Sequence, residues 1–433
     1  MRIGYYAHHH GSGHCRQADK LVALLPLALR AQLTVFTSLN KEAYQFEALD
    51  ELQIVRLSPE DERMDEVLPG RSGEYWQPKS LHYSPVGNSD IQTRSWQILD
   101  AIKRRNIDLM IIDVSAEVAM LCRVASIPFL YVRLAGIRDD TAHLDAFAGA
   151  LGLLAPYPKS LETPLTPDWV QQKTFYLDFL PSKAVTPISY QDFIKSLKVL
   201  ASSTNGISNT TETCPRLDQL ASMQNSAQSS AQFANSKDKP LLVTVIKGYG
   251  GHEAIDTKLP NLRRALPNAF IISLGPISDA MRAYVDIATE VADVTPFIIH
   301  NELLLMACGM NSVAQVYYHS TPLIALPADR PHQEQQVLAE ALIGQGRALS
   351  WEQFINLSLA GSSDTTINNE SVIYQNIIAA LSSNHETDDN KNADNPLIAQ
   401  DFMNNLISYS RVKHWFQDWL LPRLEITPER MKW

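Results

Sequence analysis

Short apolar runs alternate with helix-length amphipathic segments along most of the 433-residue chain. This alternation is typical of a mostly parallel β-sheet whose strands are joined by crossover helices. The apolar runs predict strands at Arg2–Ala7, Gln32–Thr37, Gln53–Leu57, Asp108–Ile112, Pro128–Val132, Leu241–Ile246, Ala269–Leu274 and Pro322–Leu326. Helices are predicted at Cys15–Arg30, Ile91–Arg105 and Glu334–Ile343. We therefore expect an α/β fold in which one architecture occurs twice.

Length and local composition set the expected domain boundaries. A chain of this length is too long for one compact core and suits two α/β domains of about 200 residues each. Ser, Asn, Gln and Thr dominate from Ala201 to Lys239, a composition that does not build a core. We expect an N-terminal domain at 1–200, a polar linker at 201–239, a C-terminal domain at 240–410 and a final helix at 411–433. The polar stretch can instead be a surface insertion of the first domain.

Composition narrows the class of protein. The formal net charge is −10 and no basic run occurs, which argues against nucleic acid as a partner. The N-terminus has no charged leader followed by an apolar stretch, and no apolar run reaches the roughly 20 residues of a spanning helix. Four scattered cysteines show no metal-ligand spacing. We expect a cytoplasmic protein without a structural zinc. The oligomeric state stays open.

The first chemically informative motif follows the first predicted strand. Gly11, Ser12 and Gly13 form a strand-to-helix turn that ends in His14. Glycines let the backbone approach a ligand, and ligands of open α/β sheets bind beyond the carboxyl ends of the strands. Histidine is the most common general base near neutral pH, so we predict that His14 is catalytic. The alternative is that His14 only caps the helix.

A carboxylate closes the apolar strand that ends at Ile112. Asp113 is expected at the same edge of the sheet, where it can orient a histidine and stabilise its imidazolium. It can equally well be the N-cap of the next helix, predicted at Ala116–Arg123. Asp139, Asp140 and His143 lie beyond the fifth strand and are interpreted as helix-start residues or acceptor contacts.

The second half carries turns suited to phosphate. Glycine-rich βα turns expose backbone N–H groups, and the following helix adds its dipole, so such a turn can hold a diphosphate without metal. The glycines concerned are Gly248, Gly250, Gly251 and Gly309, the last followed by Asn311, Ser312 and Gln315. Further on, Glu334 and Gln335 open a helix after a proline-containing loop. A carboxylate and an amide suit the hydroxyl groups of a sugar.

Taken in order, these motifs resemble those of a known family. They read G-x-G-H after the first strand, Gly-Gly at the opening of the second half, then G-x-x-S-x-x-[EQ], P-L-I-x-x-P and E-Q-Q. This set is similar to that of the MurG-like N-acetylglucosaminyltransferases of peptidoglycan synthesis and of the wider nucleotide-sugar glycosyltransferases (GT-B, with a family 28-like C-terminal domain).

The resemblance implies a GT-B arrangement of two Rossmann-like domains facing across a cleft, with the final helix crossing back to the N-terminal domain. It implies an inverting, metal-independent transfer from a UDP-linked sugar to a hydroxyl acceptor of cell-envelope or small-molecule type, with no cofactor. His14 would be the base and Asp113 its partner. The turns at Gly11–Gly13, Gly248–Gly251 and Gly309–Ser312 would hold substrates, and Glu334 and Gln335 the donor sugar.

Two positions depart from the family pattern. Gln315 stands where family members usually have Glu, which commonly holds the ribose. Little room is expected for a strand between Leu303–Met306 and Gly309. These departures favour one alternative, a non-catalytic nucleotide-sugar-binding protein. A nucleotide-sugar 2-epimerase, which has a similar two-domain architecture, is the other. The basic and aromatic stretch Arg411–Phe416 favours core packing, and it leaves open a peripheral contact with the inner face of the membrane.

Overall fold

The computed structural model describes residues 1–8, 12–59, 78–181, 188–204, 215–222, 240–247, 252–360, 369–383 and 407–425. The chain divides into two compact units. The N-terminal unit comprises Met1–Lys183 together with Ala399–Trp433, and the C-terminal unit comprises Ala184–Ile398. Within the described residues, no helix combines the length and the apolar character needed to span a bilayer.

The described part of the N-terminal unit contains one parallel sheet of seven strands in the order β3-β2-β1-β4-β5-β6-β7. Its strands are β1 Ile3–Tyr6, β2 Thr34–Thr37, β3 Ile54–Arg56, β4 Leu109–Asp113, β5 Phe129–Val132, β6 Gly152–Ala155 and β7 Thr174–Tyr176. Its helices are α1 Gly13–Ala23, α2 Leu27–Arg30, α3 Ser89–Arg105, α4 Ala116–Val124, α5 Thr141–Gly149 and α6 Asp168–Lys173. The central strands β1, β4 and β5 are buried along their whole length because helices cover both faces of a parallel sheet.

The last described segment packs on the N-terminal unit. Residues 407–423 are helical and include the π-helical segment Trp415–Leu420. Val412, Trp415 and Phe416 are fully buried in the same apolar cluster as strands β1 and β4. The indole of Trp419 lies so close to Gly152 that a Cβ there would clash with it. The aromatic stripe therefore forms core, and the helix returns to the N-terminal unit as expected.

The described part of the C-terminal unit has a parallel sheet of six strands in the order β10-β9-β8-β11-β12-β13. Its strands are β8 Leu242–Ile246, β9 Phe270–Leu274, β10 Ile287–Thr289, β11 Leu303–Met306, β12 Leu323–Ala325 and β13 Leu349–Ser350. Its helices are α7 Tyr190–Thr204, α8 Pro215–Ser222, α9 His252–Asp256, α10 Leu259–Ala265, α11 Thr295–His300, α12 Met310–Val316, α13 Glu334–Gly344, α14 Trp351–Ala360 and α15 Asn369–Ser383. A separate apolar cluster fills this unit.

Several elements differ from the sequence predictions. The helix predicted at Cys15–Arg30 is divided into α1 and α2, because Pro26 has no N–H to continue it. The expected lack of room for a strand before Gly309 is wrong, since Leu303–Met306 is itself strand β11. The stretch predicted as a linker at 201–239 contains α8, whose Leu217 and Leu220 are buried.

Candidate active site

Each sheet has one point at which the order of its strands reverses. In the N-terminal unit this point lies between β1 and β4, and in the C-terminal unit between β8 and β11. The loops beyond the carboxyl ends of two such strands run in opposite directions and leave a crevice in which ligands bind. His14 follows β1 and Asp113 ends β4, so both belong to the first of these points.

His14 and Asp113 are in contact. The Nδ1 atom of His14 lies 3.1 Å from Oδ1 of Asp113, and the exposed fractions of the two side chains are 16% and 0%. Within the described residues, Oδ1 accepts no hydrogen bond of good geometry. The two atoms are therefore at ion-pair distance but are not aligned for an ideal hydrogen bond. Catalytic hydrogen bonds are often loose before substrate binds. A carboxylate beside Nδ1 favours the tautomer in which Nε2 is the atom that accepts a proton.

Asp113 is held from its other side by a buried tyrosine. The Tyr5 hydroxyl donates a hydrogen bond of 3.1 Å to Oδ2 of Asp113. Burial, reinforced by the Asp113 charge, raises the pKa of Tyr5 well above its usual value, so the phenol stays protonated and remains a donor. The carboxylate is thereby fixed between Tyr5 and His14.

The structure excludes the capping alternatives for both residues. Helix α4 is capped by Ser115, whose Oγ accepts a hydrogen bond from Val118 N, so Asp113 is not its N-cap. Val114, which lies between Asp113 and Ser115, has φ = 55°. This left-handed conformation is costly for a β-branched residue, and residues that adopt it cluster at functional sites. Ser12 occupies the N-cap position of α1. His14 therefore lies inside the first turn, after Gly13.

The second reversal point carries the motifs predicted to hold the donor. Gly309 is the N-cap of α12; Asn311 and Gln315 are exposed, and Ser312 is half-buried. Gly248, Gly250 and Gly251, which follow β8 in the sequence, lie outside the described residues, as does Gly11.

Glu334 and Gln335 are neighbours at the start of α13 but have different surroundings. Glu334 is half-buried at the start of α13, whereas Gln335 is buried. The Gln335 Oε1 atom accepts a hydrogen bond of 2.9 Å from Ala328 N. Its Nε2 atom lies 3.8 Å from the position of a Cβ built on Gly309. Gln335 thus ties the loop after β12 to the turn after β11, and its predicted contact with the donor sugar remains a prediction.

Sequence reasoning did not assign a role to Lys247. Its side chain is fully buried directly after β8, with Nζ 2.7 Å from Oδ1 of Asp256. The other carboxylate oxygen accepts a hydrogen bond from Ser278 N. Burial lowers the pKa of Lys247, and the bond to Asp256 opposes that shift. The pair anchors the start of the glycine-rich turn to α9.

A second histidine-carboxylate cluster follows strand β5. Asp140 is the N-cap of α5, accepting a hydrogen bond from His143 N, which confirms the helix-start interpretation. Its two carboxylate oxygens also contact the rings of His82 and His143, at 3.0 and 2.5 Å. Sequence reasoning missed His82 because it lies in a long polar loop without periodicity.

Comparisons with known proteins add the fold family. No protein-family model and no curated sequence matches the chain. Among solved structures, MurG from Acinetobacter baumannii matches with a TM-score of 0.51 at 12% identity, over 94% of this chain and 99% of that one. The spinosyn forosaminyltransferase SpnP gives 0.52 at 11% identity, over 98% of each chain. The spinosyn rhamnosyltransferase SpnG complexed with thymidine diphosphate gives 0.50 at 13%, over 96% and 98%. The chain has the MurG-like, two-domain GT-B fold.

Proposed function

We propose that this chain is a glycosyltransferase that moves a sugar from a nucleoside diphosphate sugar, UDP-linked, to a hydroxyl acceptor with inversion. The observation that carries the proposal is the His14–Asp113 pair at the strand reversal of the N-terminal unit. The GT-B fold is its context, and SpnG in a complex with thymidine diphosphate is a structural neighbour that binds a nucleotide of this kind.

The proposed reaction uses His14 as a general base. Nε2 removes the proton of the acceptor hydroxyl while that oxygen forms a bond to the anomeric carbon. The bond from this carbon to the nucleotide's diphosphate oxygen breaks on the opposite face, and the diphosphate leaves with the electron pair. Asp113 stabilises the imidazolium that forms, and Tyr5 keeps the carboxylate in place.

In the C-terminal unit, the proposed donor contacts are the turns beyond β8 and β11. Backbone N–H groups at Gly309–Ser312, together with Gly248, Gly250 and Gly251, would stabilise the departing diphosphate by preorganised dipoles, without a metal or cofactor. The exposed amide of Gln315 would bind the ribose, where a carboxylate would bind more strongly. Glu334 would bind the donor sugar, with Gln335 beside it.

A nucleotide screen tests the donor half of this proposal. We expect UDP to raise the melting temperature, because a ligand that binds only the folded state stabilises it. GDP and TDP serve as matched comparisons. An Asn311→Ala, Ser312→Ala double variant should lose the shift, whereas Ser382→Ala, at an exposed position of α15, should keep it. No shift with any nucleotide would contradict donor binding.

Product analysis tests the reaction itself. With donor and acceptor present, NMR of the product should show an anomeric configuration opposite to that of the donor, at a rate unchanged by EDTA. Donor incubated alone should be recovered intact. A new epimer from donor alone would instead identify a nucleotide-sugar 2-epimerase. The proposed cellular setting is the cytoplasm, with a small-molecule or cell-envelope acceptor.

A further inference from the structure

Three side chains with metal-ligand atoms converge beside the start of helix α5. Nε2 of His82 lies 3.0 Å from Oδ1 of Asp140, and Nδ1 of His143 lies 2.5 Å from Oδ2 of the same carboxylate. One ligand atom from each side chain lies within 4.8 Å of the corresponding atoms of the other two. The two imidazole rings are also neighbours, with centroids 4.4 Å apart. The three side chains can therefore reach a single ion.

The spacing of these atoms suits a small transition-metal ion. Around a tetrahedral zinc ion with bonds of about 2.1 Å, the ligand atoms lie roughly 3.4 Å from one another. The distances among the three side chains run from 2.5 Å to at most 4.8 Å and so lie on both sides of this value. Small rotations of the side chains would bring their ligand atoms to the distances that zinc requires.

The types of ligand atom indicate which ion fits. Two imidazole nitrogens and one carboxylate oxygen are ligands that zinc accepts together. Magnesium and calcium prefer oxygen ligands alone, so a site with two histidines disfavours both. A zinc ion held by these three side chains would complete its coordination with water or a further ligand.

The backbone holds each ligand in place before an ion arrives. Asp140 is the N-cap of α5, and His143, three residues later, lies on the same side of the helix. The loop of residues 78–88 is fastened to α4, because Glu117 Oε1 accepts a hydrogen bond of 2.6 Å from His82 N. Ligands that are already in place lose little conformational entropy on binding.

The cluster is also open to solvent on one side. The side chains of His82 and Asp140 are each 37% exposed, whereas His143 is 2% exposed. An ion can therefore enter past the loop and bind against a buried ring. A path of entry of this kind is a requirement of any metal site.

Arg138 opposes the binding of a cation. Its Nη1 atom lies 3.1 Å from Nε2 of His143, and since a guanidinium can only donate, Nε2 accepts and the proton of His143 is on Nδ1. An ion on Nδ1 would move this proton to Nε2, so the half-buried Arg138 side chain would have to turn away. Its positive charge also repels the ion. Both effects lower the affinity of the site.

We propose that His82, Asp140 and His143 bind one zinc ion, and that this ion fastens the loop of residues 78–88 to helix α5. The ion has a structural role, and the proton transfer assigned to His14 does not use it. The proposal therefore goes beyond the transferase function and does not depend on it. Cysteine spacing gave no sign of zinc, and His82 lies 58 residues from Asp140, too far for a local sequence motif.

Zinc titration of the full chain, after EDTA treatment and dialysis, tests the site, with a fluorescent zinc indicator as the competitor. We expect one equivalent to bind to the parent, and binding at least about tenfold weaker in His82→Gln and Asp140→Asn. Asparagine is also a good N-cap, so Asp140→Asn should keep α5 intact. His414→Gln is the matched control: it removes an exposed histidine that contacts a carboxylate, Asp418, and should bind zinc like the parent.

The consecutive residues His8, His9 and His10 are a rival source of zinc binding. The titration is therefore repeated in a chain with all three replaced by alanine, which should still bind one equivalent. Loss of zinc binding in this variant, with parent-like binding in folded Asp140→Asn, would overturn the proposal. Absence of saturable binding to the parent would overturn it as well. Circular dichroism identifies any variant that does not fold.

Two further titrations test how the ion is held. A large excess of Mg²⁺ should not displace zinc, since displacement would mean that oxygen ligands alone hold the ion. Arg138→Gln should bind zinc more tightly than the parent, because it removes the opposing charge and the donor to Nε2 of His143. An affinity no higher than that of the parent would overturn Nδ1 as the ligand atom.

Hydrogen exchange tests the role of the ion in the loop. Zinc should slow exchange at residues 78–88 in the parent and in His414→Gln, because opening the loop then requires release of His82 from the ion. In His82→Gln, zinc should leave exchange in this segment unchanged. Zinc binding without slower exchange at 78–88 in the parent would refute the fastening of the loop.

Discussion

At the scale of residues, two histidines of the N-terminal unit each face a carboxylate that follows a parallel strand. His14 pairs with Asp113 at the end of β4, and His82 pairs with Asp140 in the segment after β5. The first pair was predictable because Gly-rich turns and strand-end acids have recognisable positions in the sequence. The second was not, because His82 lies 58 residues from its partner in a loop whose path depends on Glu117. Long-range side-chain contacts of this kind have no periodic signal.

Removing one hydroxyl tests how Asp113 is held. Tyr5→Phe deletes the donor to a fully buried carboxylate. We expect the free energy of unfolding to fall by about 1–3 kcal/mol, since a buried charged acceptor loses a partner. Urea unfolding measures the change. Tyr44→Phe, which removes a hydroxyl bonded to Asp19 at a less buried place, is the control and should cost less. An unchanged midpoint for Tyr5→Phe would refute the contact.

The lowered pKa of His143 predicts that the folded protein, when free of metal ions, loses stability in acid. Burial, with the charge of Arg138, lowers its pKa to about 3 from an unfolded value near 6.5. Between these values the unfolded chain binds the proton and the folded chain does not, so folding stability falls as the pH drops from 6.5 towards 3. His143→Gln should flatten the slope of unfolding free energy against pH in this window. Thr141→Gln, at an exposed position of the same helix, removes no titratable group and should leave the slope as it is. If both variants and the parent had equal slopes, the lowered pKa of His143 would be contradicted.

At the scale of elements, the long central strands were predicted within about two residues, and so were the three-residue strands β3 and β12, whereas β6, β7, β10, β11 and β13 were missed. Strands β1, β4, β8 and β9 carry mostly apolar, fully buried runs flanked by turn residues. By contrast, β7, β10 and β13 have two or three residues and owe their place to pairing with a neighbour. A strand of two or three residues covers little more than one two-residue repeat, so its apolar periodicity gives almost no signal.

The loop that follows the undescribed segment 60–77 depends on one side chain. Glu117→Ala removes the acceptor shared by His82 N and Tyr83 N. We expect faster hydrogen exchange at residues 78–88, because the local opening that exposes these amides then costs less. Mass spectrometry of the exchanged peptides measures this. Glu352→Ala, at the exposed start of α14, should not change exchange in 78–88. Parent-like exchange in Glu117→Ala would show that the loop is held by other contacts.

At the scale of the whole molecule, each unit has its own sheet and its own apolar core. The GT-B class of this fold could be predicted from the order of motifs, because each motif follows a strand of the repeated α/β pattern. The division of the chain was less predictable. The first segment of the N-terminal unit ends at Lys183, and helices α7 and α8 belong to the C-terminal unit, although α8 lies in the polar stretch 201–239.

Separate cores predict separate unfolding transitions. Trp415→Ala removes a fully buried indole from the N-terminal unit, at a cost of about 3–5 kcal/mol. Calorimetry should show two transitions, with only one moved to lower temperature by this change. Phe354→Ala, in the core of the C-terminal unit, should move the other. A single transition that shifts as a whole in both variants would mean that the units do not unfold separately.

The most direct test of the account compares transfer and nucleotide binding in one pair of variants. With a donor and acceptor that support turnover, His14→Ala should lower kcat by about 10²–10⁴-fold, the contribution of a general base, and leave the nucleotide Kd unchanged. His8→Ala, whose ring lies 5.5 Å from that of His14, is the matched control and should keep most of its activity. Parent-like turnover in His14→Ala would contradict the central claim, that the histidine paired with Asp113 takes the acceptor's proton.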